Sequence, residues 1–356
     1  MTISEAFAVP QSAVRSGRLH RVFGGLAALY VLLLVGYLLL RLIVRDQWAW
    51  LAFLHTFTVW YFAPLMVLLP LALLLRDRAT FLRLLPFAVI SLLWYGPYWL
   101  PKAASAIEDA ATVRVATFNI LPLERALDVE IDWLRGSEAD IILMQEVTPS
   151  ASETLRAALN DLYPHNDAAL QGTTQLTLSR FPIQQAEEVN IGDWWIRRLV
   201  LDMHGREVAL YNVHLAMPTN ATPQSLEDYN EQGLLPLLLS YDETRRNAQI
   251  HRLLALVQAE DLPYIVAGDF NTSDHSIIYG EMAVVMHDAF RAAGTGLGAT
   301  YPAATGEEGL PDFIPPLIRL DYVWHSAHFG AVEAVTGPEM GSDHVPLWVQ
   351  LAFSAG

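Results

Sequence analysis

Eight polar side chains stand at or just past the ends of apolar or alternating runs: Asn119, Glu146, His214, Asp269, Asn271, Asp321, Asp343 and His344. Carboxylates, two carboxamides and two imidazoles, in a chain without cysteine, make a donor set suited to a hard cation held by oxygen, Mg²⁺ or Mn²⁺, rather than to a structural zinc. Singly, each has a plainer explanation: Asp321 as a strand-end turn former, His214 as a satisfied core histidine, Ser342-Asp343 as a cap. Together they point to a site, provided the fold brings them to one place.

The elements that must position them are legible as patterns. Tyr264-Ile265-Val266-Ala267 is a buried strand that delivers Asp269 and Asn271 two positions apart, hence on one face, while Phe270 turns into the core. Gly-Asp-Phe-Asn alone could equally be a strand-to-turn corner with Asn271 capping the next segment. Val113 to Asn119 alternates and is β-branched, so it predicts a strand ending in Asn119. Asp128 can cap a helix through about Arg135, and Ile141 to Met144 then forms a strand ending in Gln145-Glu146. A helix near 151–162 and a strand over 175–182 follow. A hairpin of 198–203 and 207–214 turns at His204-Gly205 and ends in His214. Residues 243–260 form an amphipathic helix with Ile250, Leu253, Leu254 and Val257 on one stripe. A further helix is expected over about 278–290. The remaining runs are 317–324, 331–336 and the strand opening after Gly341-Ser342-Asp343-His344. Both halves alternate strand and helix and close on strands without helices. That pattern predicts an α/β, four-layer sandwich of two packed mixed sheets with helices outside.

Charge divides the chain. Residues 1–102 hold nine Lys/Arg and three acids, a net of +6, so the totals of 22 basic and 38 acidic residues leave 13 and 35, a net of −22, for 103–356. We read 1–102 as a membrane segment and 103–356 as a catalytic domain. Gly24 to Leu40, Trp48 to Leu75 and Leu84 to Pro101 are apolar runs of 17, 28 and 18 residues, which predicts three transmembrane helices. A helical hairpin kinked at Pro64 and Pro70 is the alternative for the second run. Arg15, Arg18 and Arg21 before the first span, with Arg76, Arg78 and Arg83 between the second and third, put the N-terminus in the cytoplasm and the catalytic domain outside the cell membrane. Trp94, Tyr95, Tyr98 and Trp99 would form an outer aromatic belt. An acidic domain repels a phosphate backbone, which disfavours nucleic acid as a partner unless a metal or local patch offsets the repulsion. The 216–242 insertion, with its apolar run 233–239, and the Trp194-Trp195 pair could wall a lipid groove, dip into the bilayer or pack in the core.

Residues 113–352 resemble the endonuclease/exonuclease/phosphatase superfamily of deoxyribonucleases, abasic-site endonucleases, neutral sphingomyelinases and inositol-polyphosphate phosphatases. The likeness rests on T-F-N-I at 117–120, Q-E-V at 145–147, L-S-R-F-P-I at 178–183, N-V-H-L at 212–215, G-D-F-N at 268–271, T-Y-P at 300–302, L-D-Y-V at 320–323 and S-D-H-V-P at 342–346. The resemblance implies that Glu146 binds Mg²⁺ (or Mn²⁺) with Asn119 and Asp343 close by. It pairs His344 with Asp321, and His344 then acts as base on the attacking water or holds the phosphate. Asp269 and Asn271 would orient water and phosphoryl oxygen, and His214 would contact phosphate or protonate the leaving group. Arg198 and Arg245 are further candidates for phosphate contact, with surface ion pairs as the alternative. The membrane-anchored bacterial members imply a lipid phosphate or pyrophosphate substrate at the outer leaflet. An extracytoplasmic nuclease and a catalytically silent binding module are the competing readings.

Overall fold

Alternation and β-branching, strongest in Val113–Phe118 and Val208–Val213, put strands where one face meets a second sheet and the other meets helices. The computed structural model describes residues 11–102, 110–121, 127–169, 174–220, 239–303 and 314–354. The chain divides into two units, Met1–Pro97 and Tyr98–Gly356.

The second unit holds β1 (Thr112–Asn119), β2 (Ile141–Gln145), β3 (His165–Ala169), β4 (Gln175–Ser179), β5 (Ile183–Asn190), β6 (Trp195–Met203), β7 (Arg206–His214), β8 (Tyr264–Asp269), β9 (His287–Asp288), β10 (Asp321–His325), β11 (Phe329–Thr336) and β12 (Leu347–Phe353). They form two six-stranded sheets ordered β11-β12-β1-β2-β4-β3 and β5-β6-β7-β8-β10-β9. Both are mixed: β1 with β2 and β7 with β8 run parallel, and their other pairs are antiparallel. The inner faces meet in one core, where Val115, Leu143 and Val349 of the first sheet face Leu199, Leu210 and Ile265 of the second.

Outside the first sheet lie α5 (Asp128–Gly136) and α6 (Pro149–Leu159), packed through Leu134, Leu155 and Leu159. Outside the second lie α7 (Thr244–Gln258) and α8 (Ile277–Val285), packed through Ile250, Leu253 and Met282. The four-layer α/β sandwich is therefore present. Helix α6 starts where Thr148 accepts from the Ala151 N–H and Pro149 opens the first turn. Asp128 is the first residue of α5 rather than its cap, which is Leu127. The expected helix over 278–290 stops at Val285, and β9 and a short α9 (Ala289–Ala293) take its end. Most of the apolar run 233–239, and the connector 103–109, lie outside the described residues.

The first unit is helical: α1 (Gln11–Ile43), α2 (Ala49–His55), a 3₁₀ turn Thr58–Phe62, α3 (Leu65–Leu74) and α4 (Arg78–Tyr95). Two segments, His20–Ile43 and Arg78–Trp99, are long and apolar enough to cross a membrane, and Ala49–His55 with Thr58–Leu74 is a pair bent by 69° that makes up to three. The break falls between His55 and Thr58, not at Pro64 or Pro70. Three hydrogen bonds tie this stretch to α1: Tyr37 Oη meets Thr58 Oγ1 at 2.6 Å, Tyr30 Oη donates to the Tyr61 carbonyl at 2.8 Å, and His20 Nε2 meets the carbonyl of Leu75, just past α3, at 2.8 Å.

Candidate active site

Strand register gathers the polar ends before any side chain is considered. His214 is paired with Asp269 across β7 and β8, Asp269 with Asp321 across β8 and β10, and Asn119 with Gln145 across β1 and β2. Two parallel pairs, one per sheet, thus present their carboxyl ends at the same rim.

His344 is 4% exposed and its Nδ1 lies 2.7 Å from Asp321 Oδ2. Asp321 is fully buried and held from behind by Thr300 Oγ1, which accepts its backbone N–H. A carboxylate at Nδ1 favours the tautomer with its proton there and aims Nε2 into the site. That Nε2 is 3.8 Å from Asp269 Oδ2. Burial opposes charge on the ring, but Asp321 and Asp269 outweigh it and hold His344 well above the ordinary imidazole value. Tyr301 packs on the His344 ring at 5.0 Å between centroids.

Asp269 is joined to the other sheet by Asn119, whose Nδ2 donates to Asp269 Oδ2 at 3.2 Å and to Glu146 Oε1 at 3.0 Å. His214 Nε2 stands 3.5 Å from Glu146 Oε1 and 3.9 Å from Asp269 Oδ2. Asn271, in a left-handed conformation at φ 50°, donates its Nδ2 to the Leu215 carbonyl at 2.9 Å and its backbone N–H to Asp269 Oδ1 at 2.8 Å. Asp343 neighbours His344, and Ser342 Oγ ties this segment to the Asn119 carbonyl at 2.7 Å. Burial pushes Asp269 and Asp343 upward; Asp321 raises Asp269 further, and Glu146 and Asp269 raise Asp343 further.

Beneath the site the sheets are cross-linked by polar groups. Gln145 Nε2 donates to Asn212 Oδ1 at 2.8 Å, and Gln175 Nε2 to the Asn212 carbonyl at 3.0 Å. Neither Gln145 nor Asn212 was expected as more than part of a motif, because a buried amide that satisfies another amide leaves no pattern in one sequence. Thr300 and Tyr301 did leave one, in T-Y-P at 300–302.

All eight strand-end residues therefore stand at one rim. The two arginines do not join them. Arg198 points to the outer face of its sheet, bonded to Glu260 at 2.8 Å, Tyr211 at 3.2 Å and Glu187 at 2.8 Å. Arg245 is half-exposed and pairs with Asp193 at 2.5 Å. Alternation along β6 accounts for the first: Arg197, one residue earlier, is the one that faces inward, in a bidentate pair with Asp167 at 2.7 and 2.8 Å.

Among the described residues no group of three or more His, Asp or Glu side chains is arranged as a ready-made metal cage. The donor chemistry nevertheless fits a hard divalent ion. Glu146 and Asp269 accept amide hydrogen bonds but have no arginine or lysine partner among the described residues, only histidines, Glu146 remains partly open to solvent, and His214 Nδ1 and Asp321 Oδ1 are buried without a hydrogen bond. Mg²⁺ commonly takes one or two carboxylates and completes its shell with water and substrate oxygen.

A two-sheet α/β sandwich that gathers acids, amides and a carboxylate-paired histidine at one rim has the groups that hydrolytic chemistry uses. The profile of the Endonuclease/Exonuclease/phosphatase family matches residues 116–344, and the chain belongs to that family. Its members are phosphoester hydrolases that generally depend on a divalent metal. The fold is shared with solved structures of low identity. An endonuclease/exonuclease/phosphatase from Bacteroides vulgatus is 18% identical with TM-score 0.52, covering 68% of this chain and 100% of that one. A family protein from Bacteroides thetaiotaomicron is 14% identical with TM-score 0.51, covering 70% and 100%. No curated protein sequence matches the chain.

Proposed function

We propose that this protein is a membrane-anchored, Mg²⁺- or Mn²⁺-dependent phosphohydrolase that cleaves a phosphoester or pyrophosphate of a lipid at the outer face of the membrane. The observation that carries the chemistry is the line Asp321–His344–Asp269 set beside Glu146 and His214. Asp321 fixes His344 so that Nε2 takes a proton from the attacking water or donates to a phosphoryl oxygen. Asp269 and Asn271 orient those oxygens, and His214 faces the leaving group. Glu146, with Asp343 and Asn119 close by, would hold the divalent ion, which when bound supplies positive charge against the oxyanion that develops at phosphorus. Such a charge also lowers the proton affinity of His344.

Two features support a lipid over a polyanion. The same chain carries apolar helices long enough to cross a bilayer. The acidic residues 103–356 contain 13 arginines and no lysine, and neither Arg198 nor Arg245 is left to face a phosphate backbone. For orientation, the bent pair keeps company with α1 from Tyr37 down to His20. That supports one traverse, an odd number of crossings and a catalytic domain opposite the N-terminus.

A release screen tests the substrate. With Mg²⁺, purified full-length protein should free phosphate or headgroup from a lipid pyrophosphate, sphingomyelin or a phosphoinositide, and EDTA should stop it. Degradation of DNA without any lipid cleavage would transfer the site to the nuclease reading. The cysteine-free sequence makes orientation simple to check: a membrane-impermeant maleimide should label Ser354→Cys but not Ser16→Cys in intact cells.

A further inference from the structure

The stripe of α7 that packs on the second sheet does not begin with its apolar residues. One turn ahead of Leu253 and Ile250 it carries Arg246 and Gln249, three positions apart and so on one face, each 1% exposed. A guanidinium is buried at a cost unless its donors are met. Those of Arg246 are: Nη2 pairs with Glu243 at 2.7 Å and with Asn247 Oδ1 at 3.1 Å, and Nη1 donates to the backbone carbonyl of Asn271 at 2.6 Å. Gln249 works both ways, its Oε1 accepting the Ala216 N–H at 2.9 Å and its Nε2 donating to Asp193 Oδ1 at 3.0 Å.

The backbone groups gripped are those of the two loops that leave the rim. Ala216 lies two residues beyond His214, and Asn271 two beyond Asp269. The loops are also bonded to each other, Asn271 Nδ2 to the Leu215 carbonyl at 2.9 Å and the Leu215 N–H to the Asp269 carbonyl at 2.9 Å. Asn271 holds a left-handed φ of 50°, a conformation that persists in a non-glycine residue only where its surroundings over-determine it.

We propose that Arg246 and Gln249 are positioning residues, one helix face that fixes the spacing of the His214 and Asn271 backbones without touching substrate. The inference rests on the assignment of His214, Asp269 and Asn271 as reacting groups. A misplacement of about 1 Å at such groups is worth up to roughly a hundredfold in rate, whereas side chains that never meet substrate leave its binding alone.

The test uses the full-length chain in detergent, with bis(p-nitrophenyl) phosphate and Mg²⁺ as the probe, beside amide hydrogen exchange. Arg246→Met and Gln249→Met should lower kcat by about tenfold to a hundredfold with KM within roughly twofold. Arg246→Lys, which keeps one donor of the fork, should recover part of the loss. Exchange should quicken at 269–273 in Arg246→Met and at 214–217 in Gln249→Met, with β12 unchanged. Unchanged exchange in both loops, or faster exchange throughout the unit including β12, would overturn the proposal, as would a rise in KM at constant kcat. Where Arg246→Met does not fold, Arg246→Lys and Gln249→Met decide it. If the wild-type chain cleaves neither this probe nor any lipid, the site assignment fails on its own, and the exchange data still report whether the loops are held.

Discussion

Two buried groups of carboxylates lie a few residues apart along the chain and are held in opposite states. At the rim, no arginine or lysine pairs with Asp269 or Asp343 among the described residues, and burial pushes both upward against the nearby His344. Three residues past Asn271, Asp274 joins Asp288 in a group that contains its own cations. Arg319 forks onto Asp288 at 2.5 and 3.0 Å, Arg291 reaches Asp274, and His275 Nδ1 lies 2.7 Å from Asp274 Oδ1. Burial alone would raise both acids, yet His275 and Arg319 hold Asp274, and Arg319 holds Asp288, below the usual carboxylate range. The difference is one of supply: the second group is complete as folded, and the first is short of positive charge that a bound cation would provide. The chain even alternates between them, since Arg319 of the complete group stands two residues before Asp321 of the other.

The largest effect should separate the two groups by activity. Glu146→Ala and His344→Ala are each expected to lower phosphoester hydrolysis on the order of a thousandfold, with the melting temperature of Glu146→Ala held or raised. A loss of the same size from a substitution confined to the Asp274–Asp288 group, with the fold intact, would erase the distinction. Stability should divide them the other way. Arg319→Met takes the guanidinium fork from the buried Asp288 and should cost about 3–5 kcal/mol, read from the denaturant midpoint. Asp269→Asn removes an acid whose charge burial disfavours despite the nearby His344 and should be neutral or stabilising. Equal costs for both would break the comparison.

Cation binding sharpens it further. An ion that binds only the folded state at a thousand times its Kd adds about 4 kcal/mol, so Mg²⁺ should raise the melting temperature of the full-length chain and EDTA should reverse the rise. Glu146→Gln should abolish that response. Persistence of the full shift in Glu146→Gln would mean that the ion sits elsewhere.

How far these groups could be read from sequence depends on how each is built. Asp269, Asn271 and Asp321 stand at strand ends, where a short apolar run followed by an acid is visible without any partner. Their convergence was not visible in the runs themselves and needed the order of motifs along the chain. Arg246 is not legible from an amphipathic stripe defined by apolar residues alone. Carrying the same 3.6 period back from Ile250 reaches it, one position from Arg245, which is exposed. Strand β5 was missed because Gln184 to Glu188 is polar on both faces, as an exposed edge strand is. The Asp274–Asp288–Arg319 group draws on three separate segments, so nothing short of the fold assembles it.

The same rule of partner charge acts on two histidines at the ends of β10, and it yields the smallest effect. At the rim, His344 faces Asp321 and is raised. At the other end of the strand, His325 is 3% exposed, its ring is 5.5 Å from that of His287, and burial with that neighbour lowers it to about 4. A base depressed in the native state stays neutral there while the unfolded chain takes a proton below its ordinary value near 6.5. Its contribution to stability is therefore complete above pH 6.5, declines as the pH falls, and is exhausted near pH 4, where the folded ring protonates too. The full span corresponds to roughly 3 kcal/mol. Denaturation of the full-length chain at fixed Mg²⁺ should show stability rising from pH 4 to 6.5, and His325→Gln should flatten that slope while leaving the acid loss below pH 4, which belongs to Asp274 and Asp288. An unchanged slope in His325→Gln would show that burial beside a second imidazole does not set the titration of this ring.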